Sequence, residues 1–299
     1  MPELPEVEVL VRHLAPLLQN RKIRGVRVNR AKVLGPTSER QLTRALCGAT
    51  FSGVTRRGKY LLFTLRKTGQ SEPLLLVGHL GMTGRIYLLP KDSPLPKHAA
   101  VVVDVGAQHL VYEDTRYFGR LTLDLTSLGR LGPEPLGPEF TVGYFASALK
   151  RSLQSIKIKL LDQTLVAGVG NIYASEALFR ARIDPRRPAR SLGAAEVRAL
   201  ARGVTASMRY TLRQFGKTGA DGGGADIEYG STLPLDFAGS SGRDGLFYYG
   251  GEGNSSDFYQ ERLLVYDRLG RPCSKCGAAI KRLVQAARST FYCPRCQGS

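Results

Sequence analysis

The sequence predicts a protein of the α+β class with three parts: a β-sandwich with an N-terminal helix packed on it, a helical region, and a small cysteine-rich hairpin. Three observations support this prediction. Up to about residue 128 the apolar residues come in short alternating runs, and from about residue 141 they recur at helical spacing. Four of the five cysteines lie in the last 27 residues, as two Cys-x-x-Cys pairs.

The first segment, MPELPEVEVL, favours a helix. Pro2 is compatible with a first helical turn, where its missing N–H leaves no hydrogen bond unmade. Leu4, Val7 and Leu14 follow at helical spacing. The segment lacks the positive charge and the apolar run of a secretory signal.

The β-rich part is expected over residues 1–130, as a sandwich or a barrel-like domain, since short strands separated by glycine-containing turns are typical of both. The candidate strand segments are residues 22–34, 49–67, 73–89, 98–116 and 120–125. Residues 129–140 are rich in glycine and proline without periodicity, which predicts a connection between domains, placed at 131–140.

A helical domain is expected over residues 141–260. Its predicted helices are residues 142–166, 171–183 and 193–215. Residues 216–257 contain 12 glycines, and a loop of this length in a compact domain is either functional or disordered.

The charge balance indicates a polyanionic partner. There are 43 Lys and Arg residues against 25 Asp and Glu, a formal net charge of +18. Nucleic acid is the commonest partner of so basic a protein, although a ribosome-associated protein or one bound to an anionic membrane surface has similar totals. No apolar run approaches the roughly 18 residues that a membrane span requires.

The two cysteine pairs predict one structural zinc ion, held in a C-terminal module over residues 261–299. Cys273 and Cys276 are separated by two residues, as are Cys293 and Cys296. Four thiolates give the tetrahedral sulfur site that structural Zn²⁺ prefers, and they leave no position for a catalytic water. The intervening segment alternates like a strand hairpin with Arg288 near its turn, either at a tip that enters a DNA groove or on a solvated turn. Cys47 is expected to be a small buried residue.

A glycine turn precedes one of the predicted helices. Gly168 and Gly170 lie just before Asn171, which is a favourable N-cap residue. The free N–H groups of a helix N-terminus attract phosphate, but a helix–turn–helix corner without any ligand explains the pattern equally well.

Taken together, these motifs closely resemble the bacterial formamidopyrimidine-DNA glycosylases, which are relatives of the endonuclease VIII group. The resemblance covers nearly the whole chain and rests on PELPEVE, GKYLLF, HLGMTGR, DTRYFG, VAGVGNIYASEALF, VYDRLGRPC and the terminal Cys-x-x-Cys pairs, in that order. It implies a helix–two-turn–helix in the helical domain and a zinc-finger hairpin. It also implies a monomeric cytoplasmic enzyme of bacterial type, nucleoid-associated when bound to damaged double-stranded DNA.

The resemblance implies catalytic roles for residues at the N-terminus. Once Met1 is removed, the amine of Pro2 would attack C1′ of the damaged nucleotide and form an iminium. An α-amine has a pKa of about 8, and a helix N-terminus disfavours its cation, so part of it is nucleophilic at neutral pH. Glu3 would be the general acid, Lys59 would contact phosphate and sugar, and Glu6 would orient the site. From the residues alone, Glu6 is equally a surface acid and Lys59 is one basic residue among many.

The resemblance also implies DNA contacts. Met82, Arg116 and Phe118 would fill the gap left by an extruded base, although Met82 and Phe118 alone would be assigned to the core. Further contacts are implied for three residues that would grip the DNA backbone: Lys157, Asn171 and Arg288.

Two departures leave the substrate open. The segment around residues 238–257 is expanded where relatives carry a lesion-capping loop, and Tyr117 stands where some relatives have a second Arg. The predicted activity is removal of oxidised purines, such as 8-oxoguanine and formamidopyrimidines, followed by β,δ-elimination. The alternatives are the same chemistry on oxidised pyrimidines, as in the endonuclease VIII group, or a catalytically silent zinc-containing DNA-binding protein.

Overall fold

The structure, a computed structural model, describes residues 2–217 and 263–298. The helices are α1 (Leu4–Leu18), α2 (Glu39–Leu46), α3 (Val142–Leu149), α4 (Ile156–Leu160), α5 (Asn171–Ala181) and α6 (Ala194–Lys217). The strands are β1 (Gly25–Val28), β2 (Thr50–Arg57), β3 (Tyr60–Arg66), β4 (Leu74–His79), β5 (Gly84–Pro90), β6 (Ala99–Asp104), β7 (Gln108–Asp114), β8 (Arg120–Thr122), β9 (Lys281–Gln285) and β10 (Arg288–Tyr292). The glycine-rich segment predicted at 216–257 lies, apart from its first two residues, outside the described residues.

The N-terminal part is a sandwich of two antiparallel sheets. One has the strand order β1-β6-β7-β5 and the other β2-β3-β4-β8. Residues of both sheets share one core: Phe63 and Leu76 come from one sheet, and Val101 and Tyr112 from the other. The predicted α+β class with an N-terminal β-sandwich is therefore confirmed.

Helix α1 packs on this sandwich and also reaches the helical region. Leu10, Leu14 and Leu18 belong to the core of the sandwich, whereas Leu4 belongs to a second core formed by α3, α4, α5 and α6. The first residue of the helix is Leu4, so Pro2 precedes the helix and Pro5 occupies its first turn, which tolerates a proline. The N-terminus of α1 thus lies between the two cores.

The C-terminal residues form the predicted hairpin. Strands β9 and β10 pair in antiparallel register from Arg288 opposite Gln285 to Tyr292 opposite Lys281. The two turn residues, Ala286 and Ala287, have φ values of 47° and 58°, the left-handed conformations that a two-residue hairpin turn of this type demands.

Three local expectations differ from the structure. Helix α2 was not predicted, although its start carries a readable signal: Ser38 and Gln41 cap each other's backbone N–H groups. The predicted helix 142–166 is two helices, α3 and α4. Cys47 is half-buried at the end of α2 rather than buried.

None of the helices within residues 2–217 and 263–298 is both long enough and apolar enough to cross a membrane.

Candidate active site

The carboxylate of Glu3 lies at the N-terminus of helix α5. Glu3 is 1% exposed, and its Oε2 accepts hydrogen bonds from the backbone N–H groups of Gly170 (2.7 Å) and Tyr173 (3.3 Å). Its Oε1 accepts one from Ile172 (2.8 Å). Three of the first N–H groups of α5 are thereby satisfied by a residue about 170 positions earlier in the chain, because a negative charge is stabilised at the positive end of a helix.

This contact corrects the interpretation of the glycine turn. The N-cap of α5 is Gly170, and Asn171 is the first helical residue. A Cβ atom on Gly170 would lie 2.4 Å from Glu3 Cδ and 2.7 Å from Lys59 Nζ, so only glycine admits these two side chains. The anion at this helix N-terminus is a carboxylate of the chain itself, and a phosphate is not needed to explain the turn.

Pro2 and Glu6 flank Glu3 on the same segment. Pro2 is buried, and the N–H of Leu4 donates to Gly168 O (3.1 Å), which ties the segment to the glycine turn. Glu6 Oε2 accepts from Glu3 N–H (2.8 Å), and Glu6 Oε1 accepts from the hydroxyl of Tyr173 (2.6 Å). Glu6 is therefore not a surface acid, since it fixes the backbone that carries Glu3.

Glu6 should make the stability of the protein depend on pH. Burial and the nearby charge of Glu3 raise the pKa of Glu6 from 4.5 to about 7. The folded state then holds one more proton than the unfolded state between these values, so the free energy of unfolding contributed by Glu6 falls as pH rises from about 4.5 to 7. Between pH 5 and 8 we expect the free energy of unfolding, measured in urea, to fall by about 1–3 kcal/mol less in Glu6→Gln than in the wild type. Parallel profiles for the two proteins would contradict this expectation.

Lys59 lies in the two-residue turn between β2 and β3. Its side chain is buried, 7% exposed, and within the described residues its Nζ makes no hydrogen bond or ion pair. Burial lowers the pKa of Lys59, as does the charge of Arg288, while the carboxylates of Glu3 and Glu6 act in the opposite direction. Because this amine has no hydrogen-bond partner among the described residues, it can bind an incoming anionic or carbonyl group.

A buried ionic network that the sequence did not reveal supports the Lys59 turn. Arg56 Nε lies 2.9 Å from Glu8 Oε2, and Arg56 Nη1 lies 2.9 Å from Glu134 Oε2. Glu134 Oε1 also accepts the N–H of Gly58 at 2.5 Å. The network joins α1, the β2–β3 turn and the segment that follows the sandwich, so the position of Lys59 is fixed from three sides.

His79 connects the Lys59 turn with the next loop. Tyr60 pairs with His79 across β3 and β4, and their rings are 4.7 Å apart. Burial and the charges of Lys59 and Arg120 lower the pKa of His79 to about 4, so the ring is neutral at pH 7. Its Nδ1 accepts the N–H of Gly81 (3.2 Å), the residue before Met82. The motif HLGMTGR contains this histidine, but no sequence signal gave it a function.

Met82, Arg116 and Phe118 form an exposed group at this edge of the sandwich. Met82 is 48% exposed and Phe118 is 51% exposed, so neither belongs to the core. Arg116 Nη1 lies 3.5 Å from Met82 Sδ, and its guanidinium carbon lies 4.7 Å from the centre of the Phe118 ring. The structure thus brings together the three residues that the resemblance named, as a flexible thioether, a cation and an aromatic ring pointing into solvent.

Asp114, another residue that the sequence left unassigned, holds the two loops of this group. It is fully buried and accepts hydrogen bonds from the Thr83 hydroxyl (2.6 Å) and from the N–H groups of Arg116 (3.1 Å) and Gly119 (2.8 Å). One carboxylate therefore fixes both the loop that carries Met82 and the loop that carries Arg116 and Phe118.

Replacing Asp114 with Asn should loosen this group. An amide cannot accept hydrogen bonds on both of its ends, and hydrogen bonds to charged groups contribute about 1.5–3 kcal/mol each. We expect the free energy of unfolding, measured in urea, to fall by about 2 kcal/mol, and binding of an abasic-site duplex to weaken. The control is Asp92→Asn, which makes the same charge change at an exposed position. If Asp114→Asn and Asp92→Asn have equal free energies of unfolding and equal affinities for the abasic-site duplex, the role given to Asp114 is contradicted.

Tyr117 is held by Arg30, a cation from the loop that follows β1. Its hydroxyl accepts from Arg30 Nε (3.3 Å), lies 3.4 Å from His98 Nδ1, and its ring lies under the Arg30 guanidinium. Where some relatives have a second Arg, this chain therefore has a tyrosine with an arginine beside it.

Lys157 and Asn171 belong to helices α4 and α5, and Arg288 belongs to strand β10 of the hairpin. Lys157 is fully buried and donates to Asn171 Oδ1 (2.6 Å), while Asn171 Nδ2 donates to Ser289 O (2.8 Å) of the hairpin. Burial lowers the pKa of Lys157 to about 7, with a further contribution from the Arg288 charge. Arg288 is exposed, so its charge acts on both buried lysines from the surface of the hairpin.

Glu176 anchors the cysteine module to helix α5 and was not identified from the sequence. It is 2% exposed and accepts the N–H groups of Leu264 (3.0 Å), Val265 (2.9 Å) and Tyr266 (3.1 Å). Burial raises the pKa of Glu176 despite these bonds.

The four C-terminal cysteines form a metal site. Their sulfur atoms all lie within 4.8 Å of one another, with 3.9 Å between Cys273 and Cys296 and 3.4 Å between Cys276 and Cys293. A tetrahedron with Zn–S bonds of about 2.3 Å has edges of about 3.8 Å, so the spacing fits one zinc ion. The distances are far longer than a disulfide bond, and the cysteines are free thiols.

Models of known families match the chain in three segments. Residues 1–121 match the formamidopyrimidine-DNA glycosylase N-terminal domain, residues 131–221 match the formamidopyrimidine-DNA glycosylase H2TH domain, and residues 270–298 match a zinc finger found in FPG and IleRS.

Similar proteins cover the chain from end to end. A formamidopyrimidine-DNA glycosylase of Symbiobacterium thermophilum is 42% identical over 99% of this chain and 89% of its own length. One of Moorella thermoacetica is 41% identical over 95% of this chain and 94% of its own. A structure of MutM in complex with carbocyclic 8-oxo-G containing DNA has a TM-score of 0.81 at 31% identity, with 100% of both chains covered. The Lactococcus lactis enzyme bound non-covalently to an AP site containing DNA has a TM-score of 0.79 at 30% identity, over 99% of this chain and 100% of that one.

Proposed function

This chain belongs to the formamidopyrimidine-DNA glycosylase family, and from that premise we propose how its own residues carry out the family's reaction. It is a base-excision glycosylase that removes oxidised purines from damaged DNA, and in this family the glycosylase is also an AP lyase. Its zinc finger holds one metal ion through Cys273, Cys276, Cys293 and Cys296.

The arrangement around Glu3 is the observation that best supports the proposal. Glu3 and Lys59 both have ionisable side chains, and both are nearly fully buried. Burying charges is costly, and a protein that only binds DNA gains nothing from placing an acid and an amine beside its N-terminal proline. This arrangement favours an enzyme over a silent binding protein.

In the proposed reaction, Met1 has been removed and Pro2 is the nucleophile. Its neutral nitrogen attacks C1′, the bond from C1′ to the base breaks, and the base leaves with the bonding electrons and takes up the proton that the nitrogen loses. Glu3, when it holds a proton, donates it to the ring oxygen as the bond from C1′ to that oxygen breaks, and the lone pair of the Pro2 nitrogen forms the iminium with C1′. Lys59 binds the adjacent phosphate and sugar, and Glu6 keeps the backbone of Glu3 in position. Loss of the 3′ and then the 5′ phosphate by β,δ-elimination completes strand cleavage.

The remaining site residues would bind the DNA. We propose that Met82, Arg116 and Phe118 fill the space left by the extruded base, because all three side chains are exposed and Arg116 contacts the other two. Arg288 would bind phosphate directly from the hairpin. Lys157 is buried behind Asn171, so its contribution would be to orient Asn171 towards phosphate and to add its charge.

We also propose a division of the chain into a catalytic part (1–130), a connection (131–140), a helical DNA-binding part (141–260) and the zinc finger (261–299). The protein would act as a monomer and associate with the bacterial nucleoid when bound to DNA.

Borohydride trapping tests the proposed function. The purified protein, with loss of Met1 verified by mass spectrometry, is incubated with duplexes containing 8-oxoguanine, thymine glycol or an abasic site, and with an undamaged duplex. Borohydride reduces an iminium to a stable amine, so we expect a covalent adduct with the abasic duplex and faster trapping on 8-oxoguanine than on thymine glycol. Faster trapping on thymine glycol than on 8-oxoguanine would indicate an enzyme for oxidised pyrimidines, as in the endonuclease VIII group. No adduct even with the abasic duplex would overturn the enzyme assignment.

A further inference from the structure

Helix α6 carries a row of arginines on its outer face. Arg198, Arg202 and Arg209 are exposed, and they are called here the arginine stripe. Arg213 continues the row. Eleven residues complete about three helical turns, so these positions share one face and extend over about 22 Å along the helix.

The arginine stripe faces away from the other residues that the structure describes. The opposite side of α6 is buried through residues such as Leu200, Val204 and Met208. Gly203 lies against α5, where an added Cβ would be 2.7 Å from Ala177 O. The stripe therefore lies on a helix whose opposite face is packed in the helical core.

The charges on this face are unbalanced. From Val197 to Lys217 the sequence contains no Asp or Glu, and Glu196, just before this stretch, is paired with Arg187. Arg198, Arg202 and Arg209 form no ion pair with any described residue. Like charges four residues apart destabilise a helix by about 0.2–0.5 kcal/mol per pair, and an ordinary solvent-exposed face mixes both signs. A bound polyanion would remove this repulsion.

The part of the stripe around Arg209 lies near the end of α5 that is remote from Glu3. Glu3 occupies the N-terminus of α5, whereas Arg180, at the other end of that helix, lies 5.4 Å over the ring of Tyr210 on α6. Asn171 and Arg180 are about 14 Å apart along the helix. Arg182 is also at the C-terminal end of α5, which extends the basic surface away from Glu3.

We propose that the arginine stripe binds the sugar–phosphate backbone of a second DNA duplex while the catalytic site holds the first. Arginine favours this partner because its planar group pairs with phosphate through two parallel hydrogen bonds. Tyr210 is the one large apolar side chain exposed among the described residues of α6, so the face has no apolar surface to insert into a membrane. Backbone binding is independent of sequence, so the surface would hold the enzyme on DNA between lesions. The proposal rests on the chain acting on DNA and not on which residues perform the chemistry.

The test fills the catalytic site first. The protein is trapped by borohydride on a short abasic duplex, and binding of an undamaged, fluorescently labelled 20-base-pair duplex to this adduct is measured by anisotropy at several salt concentrations. We expect the R198A/R202A/R209A variant to bind the second duplex at least about tenfold more weakly. The slope of the logarithm of affinity against the logarithm of salt concentration should fall by the amount that about three phosphate contacts contribute. Its rate of trapping on the short duplex should equal that of the wild type.

The control removes the same charge elsewhere. The R21A/R40A/R44A variant loses three exposed arginines of the N-terminal part and should bind the second duplex within about twofold of the wild type. If the wild-type adduct binds no second duplex, or if both variants lose affinity equally, the proposal is overturned. Loss of binding to anionic lipid vesicles without loss of binding to DNA would overturn it in favour of a membrane surface.

Failure of the proposed enzymatic function can be distinguished from failure of the arginine stripe to bind DNA. If no adduct forms, the proposed function fails, and the stripe is tested on the unmodified protein by energy transfer between donor-labelled and acceptor-labelled duplexes. Transfer that the R198A/R202A/R209A variant loses and the control variant retains would support the stripe. Transfer that both variants lose, or that the wild type lacks, would overturn it.

Discussion

Replacing Pro2 with Gly is expected to slow borohydride trapping on an abasic duplex by at least about 100-fold while DNA binding stays within about threefold. The pyrrolidine ring fixes the direction of the nitrogen, and Pro2 is buried next to Glu3 in the chain, so the proposed nucleophile is oriented before the substrate arrives. A glycine keeps an amine but loses this orientation and the secondary nitrogen. The rate of trapping in a single turnover and the dissociation constant should be measured on the same duplex.

Pro5→Ala is the matched control for this variant. Pro5 is also a buried proline of the same segment, inside the first turn of α1, and it has no proposed chemical role. We expect Pro5→Ala to trap DNA within about fivefold of the wild type, since alanine is well tolerated in a helix. If Pro2→Gly traps as fast as Pro5→Ala, Pro2 is not the nucleophile.

Loss of zinc should have the second large effect. Cys293 is completely buried at the base of the hairpin, and Cys293→Ser would leave the metal with three thiolates. Structural zinc contributes about 10–16 kcal/mol to folding in isolated zinc-finger peptides, so the module is expected to unfold without it. The proposed phosphate contact of Arg288 and the hydrogen bond from Asn171 to Ser289 would then be lost together. We therefore expect DNA affinity to fall by at least about 100-fold.

The measurements for this variant are the zinc content, the dissociation constant and the circular dichroism of the sandwich. Treatment of the wild type with a strong chelator should reproduce the loss of affinity. Cys47→Ser, which alters a half-buried thiol at the end of α2, should keep both the zinc and the affinity. A Cys293→Ser protein that binds DNA normally without zinc would contradict the role of the hairpin.

The sequence predicted the features that depend on neighbouring residues. The spacing of Leu4, Val7 and Leu14 indicated α1, and the two Cys-x-x-Cys pairs indicated the metal site and its hairpin. The fold class, the zinc site and the family were confirmed. The roles of Pro2, Glu3 and Lys59 remain predictions, although the structure brings these residues together.

What the sequence could not predict depends on distant contacts. Asn171 looked like the N-cap of its helix because Asn commonly is one, but that position is controlled by a carboxylate about 170 residues away. Asp114, Glu134 and Glu176 are single acids in ordinary surroundings in the sequence. Only folding shows that Asp114 and Glu176 are buried against backbone N–H groups and Glu134 against Arg56 and the N–H of Gly58. By contrast, α2 could have been found, since Ser38 and Gln41 have the spacing of a capping box.

The hydrogen bonds from α5 to Glu3 also have a consequence for the order in which the proposed site forms during synthesis of the chain. The residues proposed for chemistry are made first, but Glu3 has no partners until residues 170–173 have left the ribosome and folded against it. A nascent chain that ends before α5 would contain Pro2 and Lys59 without a formed site. The proposed role of Glu3 therefore predicts that strand cleavage requires the helical part, and that an N-terminal fragment without α5 leaves DNA intact.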